Sequence, residues 1–133
     1  MNDFTHNPSD LAEAPSQAMR EIKFRQPLFD NGKFKNWHYW GFISEGKFVG
    51  VAIGDITIQE AKKTSQQFTG LYDKNGKDIF EGDILSNGYG KALIVFEHGK
   101  FGLKFDDGYL RAIKSRPDFE IIGSIYENPE LLK

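Results

Sequence analysis

The chain of 133 residues contains no cysteine, and this absence excludes several kinds of site at once. Disulfide frameworks, thiolate metal sites and cysteine nucleophiles all need a thiol. Long hydrophobic runs are also missing, since no apolar stretch approaches the roughly 18–20 residues that cross a bilayer. The N-terminus has no charged segment followed by an apolar one. We therefore expect no secretory signal, no membrane partner and a cytoplasmic location.

Neither sign of charge dominates the sequence, which has 17 basic and 19 acidic residues and a net charge of -2. Proteins that bind nucleic acid through its phosphates usually carry a basic excess, so the totals disfavour this class without excluding a local patch. Aromatic residues and glycine are plentiful, with 12 Phe and 14 Gly. Aromatic runs between glycines are typical of β-rich domains with tight turns, so we predict a mostly β fold with few helices, a β-rich α+β class.

Residues 67–85, QFTGLYDKNGKDIFEGDIL, predict a strand, a turn and a second strand. Asn75-Gly76 lies between two apolar runs, and this dipeptide favours a type I′ turn, in which both central residues have positive φ. The charged residues on either side are expected to face water: Asp73, Lys74, Lys77 and Asp78.

The order of strand signals predicts three regions. Residues 1–18 are small and polar and read as a flexible leader or extension. Residues 19–66 predict an N-terminal β-meander, whose first strand ends or becomes an edge at Pro27. Residues 67–133 predict a small SH3-like barrel that closes with a short terminal helix after Asn128. Within residues 56–66 a helix and a loop are equally supported, although Thr57 and Glu60 have the spacing of a capping box.

Acidic residues cluster around the central hairpin, and they suggest one kind of chemistry. Converging carboxylates could bind a metal for a hydrolase, which would need two or more of them in one cleft. The spacing does not fit a calcium-binding loop, because the glycine comes too early. Turn formation and solvation explain these residues better, so we predict no metal and no cofactor. The cluster consists of Asp73, Asp78, Glu81 and Asp83.

No histidine has the spacing of a metal or catalytic pair. His6, His38 and His98 are far apart in the sequence. A His98 base with Ser86 or Ser115 as nucleophile lacks the glycine-flanked elbow that exposes such a serine. The glycine-rich loop at residues 86–90 lacks the lysine pattern of a phosphate loop. We therefore predict no catalytic residues and a protein that is not an enzyme.

The candidate binding residues are aromatic and basic side chains of the first two strands: Trp37, Tyr39, Trp40, Arg25 and Lys35. Alternation along a strand places Trp37 and Tyr39 on one face and Trp40 on the other. An exposed pair could stack single-stranded bases or anchor a partner protein. Alternatively both faces are packed, one in the core and one under the C-terminal part, and this interpretation is the better supported.

Three segments together resemble one family. They are MREIKFR at residues 19–25, QFTGLYDKNGKDIFEGDI at residues 67–84 and IIGSIYENPEL at residues 121–131. The chain from residue 19 to residue 133 is similar to the YopX family of phage and prophage proteins. The resemblance implies a mostly β protein that is encoded by a phage or prophage and works in the bacterial cytoplasm. It implies no activity and no catalytic residues.

Three hypotheses follow, in order of support. The first is a non-enzymatic module that binds an unknown protein partner or assembles with itself through sheet edges and aromatic faces. The second is a small barrel that binds single-stranded nucleic acid through Trp37 and Tyr39. The third is a metal-dependent hydrolase that uses the acidic cluster.

Overall fold

The computed structural model describes residues 21–44, 47–54, 56–113 and 118–132. The leader at residues 1–18 and the predicted turn at residues 45–46 lie outside these ranges. The described residues form two five-stranded antiparallel sheets, which confirms the mostly β prediction. The strands are β1 (Lys23–Asp30), β2 (Lys33–Ser44), β3 (Lys47–Val49), β4 (Gln66–Tyr72), β5 (Asp78–Phe80), β6 (Asp83–Ser86), β7 (Lys91–Glu97), β8 (Lys100–Lys104), β9 (Leu110–Arg111) and β10 (Glu120–Ser124).

The N-terminal sheet has the strand order β3-β2-β1-β4-β5. Its first three strands are consecutive and antiparallel, as the predicted meander requires. β1 and β2 are joined at Asn31 and Gly32, whose φ angles are 52° and 78°. Two central residues with positive φ are the hallmark of the type I′ turn, which matches the twist of a hairpin.

β1 does not end at Pro27, and the other predicted alternative, an edge position, describes this residue. The strand continues to Asp30, and Pro27 is buried opposite Trp37. Besides β2, the neighbour of β1 is β4, and β4 pairs with β1 only at Phe24 and Arg25. Beyond Arg25 that side of β1 has no ladder, so a residue without an N–H group is tolerated there.

A single α-helix, α1 (Ile58–Thr64), occurs in the described part of the chain. The Thr57 side chain accepts a hydrogen bond from the Glu60 N–H, and the Glu60 side chain accepts one from the Thr57 N–H. This capping box decides between the helix and the loop that the sequence left open. Ala61 is fully buried and fixes the inner face of the helix. None of the described helices combines the length and apolar character needed to cross a bilayer.

The turn between β4 and β5 is not type I′, contrary to the prediction. Gly76 has a φ of 82°, whereas Asn75 has an ordinary negative φ. The Gly76 N–H donates to the Asp73 carbonyl at 2.9 Å, and the Asp73 N–H donates to the Lys77 carbonyl at 2.8 Å. This is the longer hairpin loop in which a turn is followed by a left-handed glycine. Asp73 is only 5% exposed, so the expectation that it faces water is also wrong.

The C-terminal sheet has the strand order β10-β6-β7-β8-β9. Its core consists of Ile79, Leu85, Ala92, Ile94 and Leu103. The chain closes with a 3₁₀ helix, Pro129–Leu132, as predicted for the end of the chain. The Lys91 ammonium donates to the Leu131 carbonyl at 2.7 Å and ties that helix to the start of β7.

β4 and β5 belong to the N-terminal sheet by hydrogen bonding, although the sequence grouped residues 67–80 with the C-terminal barrel. Their connecting turn nevertheless reaches the C-terminal sheet. The Lys74 N–H donates to the Phe119 carbonyl at 3.0 Å, and the Ile121 N–H donates to Asp73 Oδ2 at 3.0 Å. The central hairpin therefore joins the two sheets, while the division into folding units stays a prediction.

Candidate binding cleft between the two sheets

A buried ion pair between Arg25 and Asp83 lies where the two sheets meet. Arg25 is in β1 and Asp83 begins β6, and Arg25 Nη2 lies 2.7 Å from Asp83 Oδ1. The two side chains are 7% and 2% exposed. Arg25 Nε donates a further hydrogen bond to Gln66 Oε1 at 2.9 Å. Buried charges persist only when they are paired and hydrogen-bonded, and these contacts satisfy that condition.

Asp83 also accepts a hydrogen bond from the backbone a few residues before it in the sequence. Its Oδ2 accepts a hydrogen bond from the Phe80 N–H at 2.8 Å. Burial raises the pKa of Asp83 to about 6, and the Arg25 guanidinium and the Phe80 N–H oppose that rise. Gly82, with a φ of 87°, lets the chain turn here, and the Gln66 amide occupies the place where a side chain at Gly82 would stand.

Trp37 covers the guanidinium of Arg25 from the cleft side. The Arg25 Cζ atom lies 4.0 Å from the centre of the Trp37 ring. The Trp37 indole N–H donates to Glu127 Oε1 at 3.0 Å, and Ser124 Oγ donates to the same oxygen at 3.2 Å. The Trp37 ring also packs edge-on against Tyr126, with centroids 6.1 Å apart. Trp37 thus connects the N-terminal sheet to the segment that follows β10.

Tyr39 lies beside Trp37 on the same face of β2, as alternation predicted. It is opposite Arg25 in the ladder, and its ring centroid is 5.8 Å from that of Phe80. Tyr39 remains 44% exposed, in contrast to the buried Phe80. Part of Tyr39 therefore stays accessible to solvent.

These side chains line a cleft of about 580 Å³ between the sheets. The N-terminal sheet and the β4–β5 turn contribute Arg25, Trp37, Tyr39, Lys77, Asp78 and Phe80. The C-terminal sheet and the segment after it contribute Asp83, Ile121, Ile122, Gly123, Glu127 and Asn128. The cleft combines an aromatic wall with groups of both charges, which is the composition of a polar recognition site.

The structure places the five predicted binding residues in different surroundings. Arg25, Trp37 and Tyr39 come together in the cleft. Trp40 faces the opposite side of the sheet, where it stacks on Phe24 with centroids 4.3 Å apart, and its indole N–H donates to Ser65. Lys35 is exposed and does not line the cleft. Binding by any of the five stays a prediction.

Asp73 of the acidic cluster serves the backbone. Its Oδ1 accepts hydrogen bonds from the N–H groups of Asn75 and Lys77, and its Oδ2 accepts one from Ile121. Burial would raise the pKa of Asp73, but these three N–H groups outweigh it and hold the pKa below its usual value. This carboxylate therefore fixes the turn against β10.

The other acidic residues of the cluster have separate partners. Asp78 Oδ2 lies 2.7 Å from the Lys23 ammonium, and Glu81 accepts a hydrogen bond from the Gln67 N–H. Within the described ranges, no three histidine or acidic side chains lie close enough together to hold a metal ion. The contacts of the cluster are those of ion pairs and turns.

The histidines and serines that the sequence raised have local roles. His38 Nε2 lies 2.7 Å from the Gly50 carbonyl oxygen. His98 forms the β7–β8 turn with a φ of 56°. Ser86 Oγ accepts a hydrogen bond from the Gly88 N–H in its own loop. His6 and Ser115 lie outside the described residues.

Sequence reasoning missed the roles of Asp83 and Glu127, which line the cleft, and of Gln66, which contacts Arg25. Asp83 carried a usable signal, because it stands inside the apolar run from Ile79 to Leu85, and a charge in such a run needs a buried partner. Gln66 and Glu127 carried none, since polar residues at the ends of strands are ordinary. Their roles depend on contacts with residues far away in the sequence.

Comparison with known proteins shows similarity to a protein family and to a solved structure. The model of the YopX protein family matches residues 33–133. The crystal structure of protein EF1440 from Enterococcus faecalis is 26% identical, with a TM-score of 0.48, over 84% of this chain and 98% of that chain. No curated protein sequence matches. The family match contains Asp83 and most of the cleft but begins after Arg25. Because it covers most of the chain, the protein belongs to the YopX family.

Proposed function

We propose that this protein is a non-enzymatic protein-binding or self-assembly module, an accessory protein of a phage or prophage that works in the host cytoplasm. The observation that carries the proposal is an exposed apolar row at the outer end of the N-terminal sheet. Ile22, Phe42 and Phe48 are 49%, 50% and 60% exposed. The Phe42 N–H donates to the Ile22 carbonyl at 2.9 Å, and the Phe42 and Phe48 rings lie 5.4 Å apart, so the three residues are adjacent.

This row runs beside an open strand edge. β3 is the last strand of its sheet within the described residues, and Phe48 is its central residue. An edge strand offers backbone groups to an incoming strand, and neighbouring aromatic side chains supply apolar area. Burying apolar surface is worth roughly 25 cal/mol per Å², so covering two half-exposed phenylalanines favours association.

The contacts of the polar residues also support a role in binding rather than in catalysis. The acidic side chains around the central hairpin are used by ion pairs and backbone N–H groups. Within the cleft, the aromatic wall stands beside Asp78, Asp83 and Glu127. Phosphates would be repelled by these carboxylates, so the single-stranded nucleic-acid hypothesis receives less support than the protein-binding one.

Light scattering across a range of protein concentrations tests the proposal with the full chain. We expect a mass that rises with concentration, and a Phe42→Ser/Phe48→Ser variant that remains a monomer. Phe96→Ser is the matched control, because Phe96 is 49% exposed and pairs across strands with Phe101. The variants must keep the wild-type circular dichroism.

A binding module that prefers another protein would give a monomer in that experiment. Cross-linking in a lysate of induced lysogens then tests for a partner protein. The wild type and the Phe96→Ser control should give cross-linked products with the partner, and the Phe42→Ser/Phe48→Ser variant should lack them. A chain that is monomeric at every concentration, with identical cross-links for all three proteins, would overturn the proposal.

A further inference from the structure

Three carboxylates line the cleft between the sheets, and two of them have ion-pair partners. Asp83 is paired with Arg25 and Asp78 with Lys23, each at 2.7 Å, whereas Glu127 forms no ion pair with the described residues. Lys77, the other cationic residue of the lining, is exposed on the β4–β5 turn. Glu127 accepts its hydrogen bonds at Oε1. The charge left at the centre of the cleft is therefore that of a carboxylate.

The pKa of Tyr39 is affected by the carboxylates of the cleft. Burial raises the pKa of the Tyr39 hydroxyl, Arg25 opposes this, and the carboxylates of Asp83, Glu127 and Asp78 raise it further. All three carboxylates therefore act on the part of the cleft that Tyr39 lines. A cation in that space would meet both a ring face and opposite charge, and each is attractive.

We propose that the cleft receives a lysine or arginine side chain carried by an extended segment of a partner protein. The stem of that side chain packs between Tyr39 and Ile122, and its charged head lies near Glu127. This inference rests on the proposed binding function, and it assigns the partner chemistry and a second contact surface to it. An acidic or phosphorylated segment would meet repulsion instead.

The position of the cleft favours an extended occupant. It lies between β5 and β10, which are the terminal strands of their sheets in the described part of the chain. The ladder between β10 and β6 shifts register between Ile121 and Gly123. Ile122, at this irregularity, is 39% exposed on the cleft wall. An extended segment can lie along the cleft and present alternate side chains to it.

Three peptides that differ at one position test the proposal by nuclear magnetic resonance titration of the full chain. The parent is acetyl-Gly-Ser-Thr-Val-Lys-Val-Thr-Ser-Gly-amide, and the analogues carry norleucine or Glu in place of Lys. We expect the Lys peptide to shift the amide signals of Tyr39, Ile122 and Gly123. It should bind about five-fold more tightly than the norleucine peptide, and the preference should shrink at high salt.

Glu127→Gln should remove most of the preference for the Lys peptide, because the amide keeps an acceptor for the Trp37 N–H while the charge is lost. Glu97→Gln is the control, since Glu97 pairs with Lys104 in β7 and β8, and it should bind like the wild type. Equal binding of the Lys and Glu peptides, shifts confined to other surfaces, or no shifts at all would overturn the inference. The binding function itself would survive this result if the Phe42→Ser/Phe48→Ser variant still abolished association.

Discussion

Arg25 and Asp83 join the two sheets through a 2.7 Å ion pair whose charged atoms are almost completely removed from water. Replacing Arg25 by methionine keeps the stem under Trp37 but leaves the carboxylate without its cation. Breaking a buried pair in this way costs about 3–5 kcal/mol of unfolding free energy. Urea denaturation at neutral pH measures the loss.

A second variant checks the cause of that loss. Arg25→Met/Asp83→Leu removes both charges, and we expect it to recover part of the stability. Apolar side chains replace a buried pair at little cost, but the Phe80 N–H and the Gln66 amide lose their partners. Glu97→Gln, which breaks the exposed pair with Lys104, should change the free energy by less than about 1 kcal/mol. An unfolding free energy in the double variant as low as in Arg25→Met would contradict the electrostatic explanation.

The raised pKa of Asp83 predicts how stability depends on pH. Burial lifts this pKa from 3.8 to about 6 in the folded state, so between these values the folded protein binds more protons than the unfolded chain. The contribution of Asp83 to the unfolding free energy is therefore full in acid and is lost as the pH rises through 6. Urea denaturation from pH 4 to pH 7 should show the wild-type unfolding free energy falling between about pH 4 and pH 6 and levelling off above it, and Asp83→Asn should lack this fall.

The contribution of Asp73 to stability should depend on pH in the opposite direction to that of Asp83. Its pKa lies below 3.8 because the N–H groups of Ile121, Lys77 and Asn75 outweigh burial. Its contribution to stability is present above that value and is lost as the pH falls through the folded pKa. Asp73→Asn should cost about 1–3 kcal/mol at neutral pH, since an amide cannot accept all three bonds. The difference in unfolding free energy between Asp73→Asn and the wild type should become smaller in strong acid. A difference that stays constant with pH would contradict the prediction.

Gly76 and Gly82 have nearly equal φ angles but different surroundings. Alanine substitutions at the two positions therefore compare the cost of backbone strain alone with the cost of strain plus steric crowding. Gly76→Ala places a Cβ in open space at a φ of 82°, so we expect a cost of about 1 kcal/mol. Gly82→Ala has a φ of 87°, but its Cβ would collide with the Gln66 amide that holds Arg25. We expect Gly82→Ala to lose more than twice as much unfolding free energy as Gly76→Ala, as measured by urea denaturation. Equal losses would show that the amide moves aside freely.

Local patterns predicted much of the fold. The mostly β class and the capping box of Thr57 and Glu60 rest on neighbours within a few residues. Alternation also placed Trp37 and Tyr39 on one face of β2, which is the face that lines the cleft. Such features need only the chemistry of a short segment.

The sequence failed where a distant residue changed a local preference. Asn75-Gly76 favours a type I′ turn, but the Asp73 carboxylate binds the N–H groups inside the turn and selects another geometry. Arg25 stands among alternating polar residues and reads as exposed, yet Asp83 and Gln66 draw it inside. Both outcomes depend on which strands come together, and single-sequence patterns do not specify that.

The hydrogen bonding of β4 to β1 makes residue 66 a poor place to cut the gene. A fragment that starts there would keep Phe68 and Phe80 but lose β1, whose Phe24 and Arg25 pair with the start of β4. A fragment that ends there would carry the Arg25 guanidinium without its counter-ion. A cut at residue 66 would therefore separate residues that pair with each other in the intact chain.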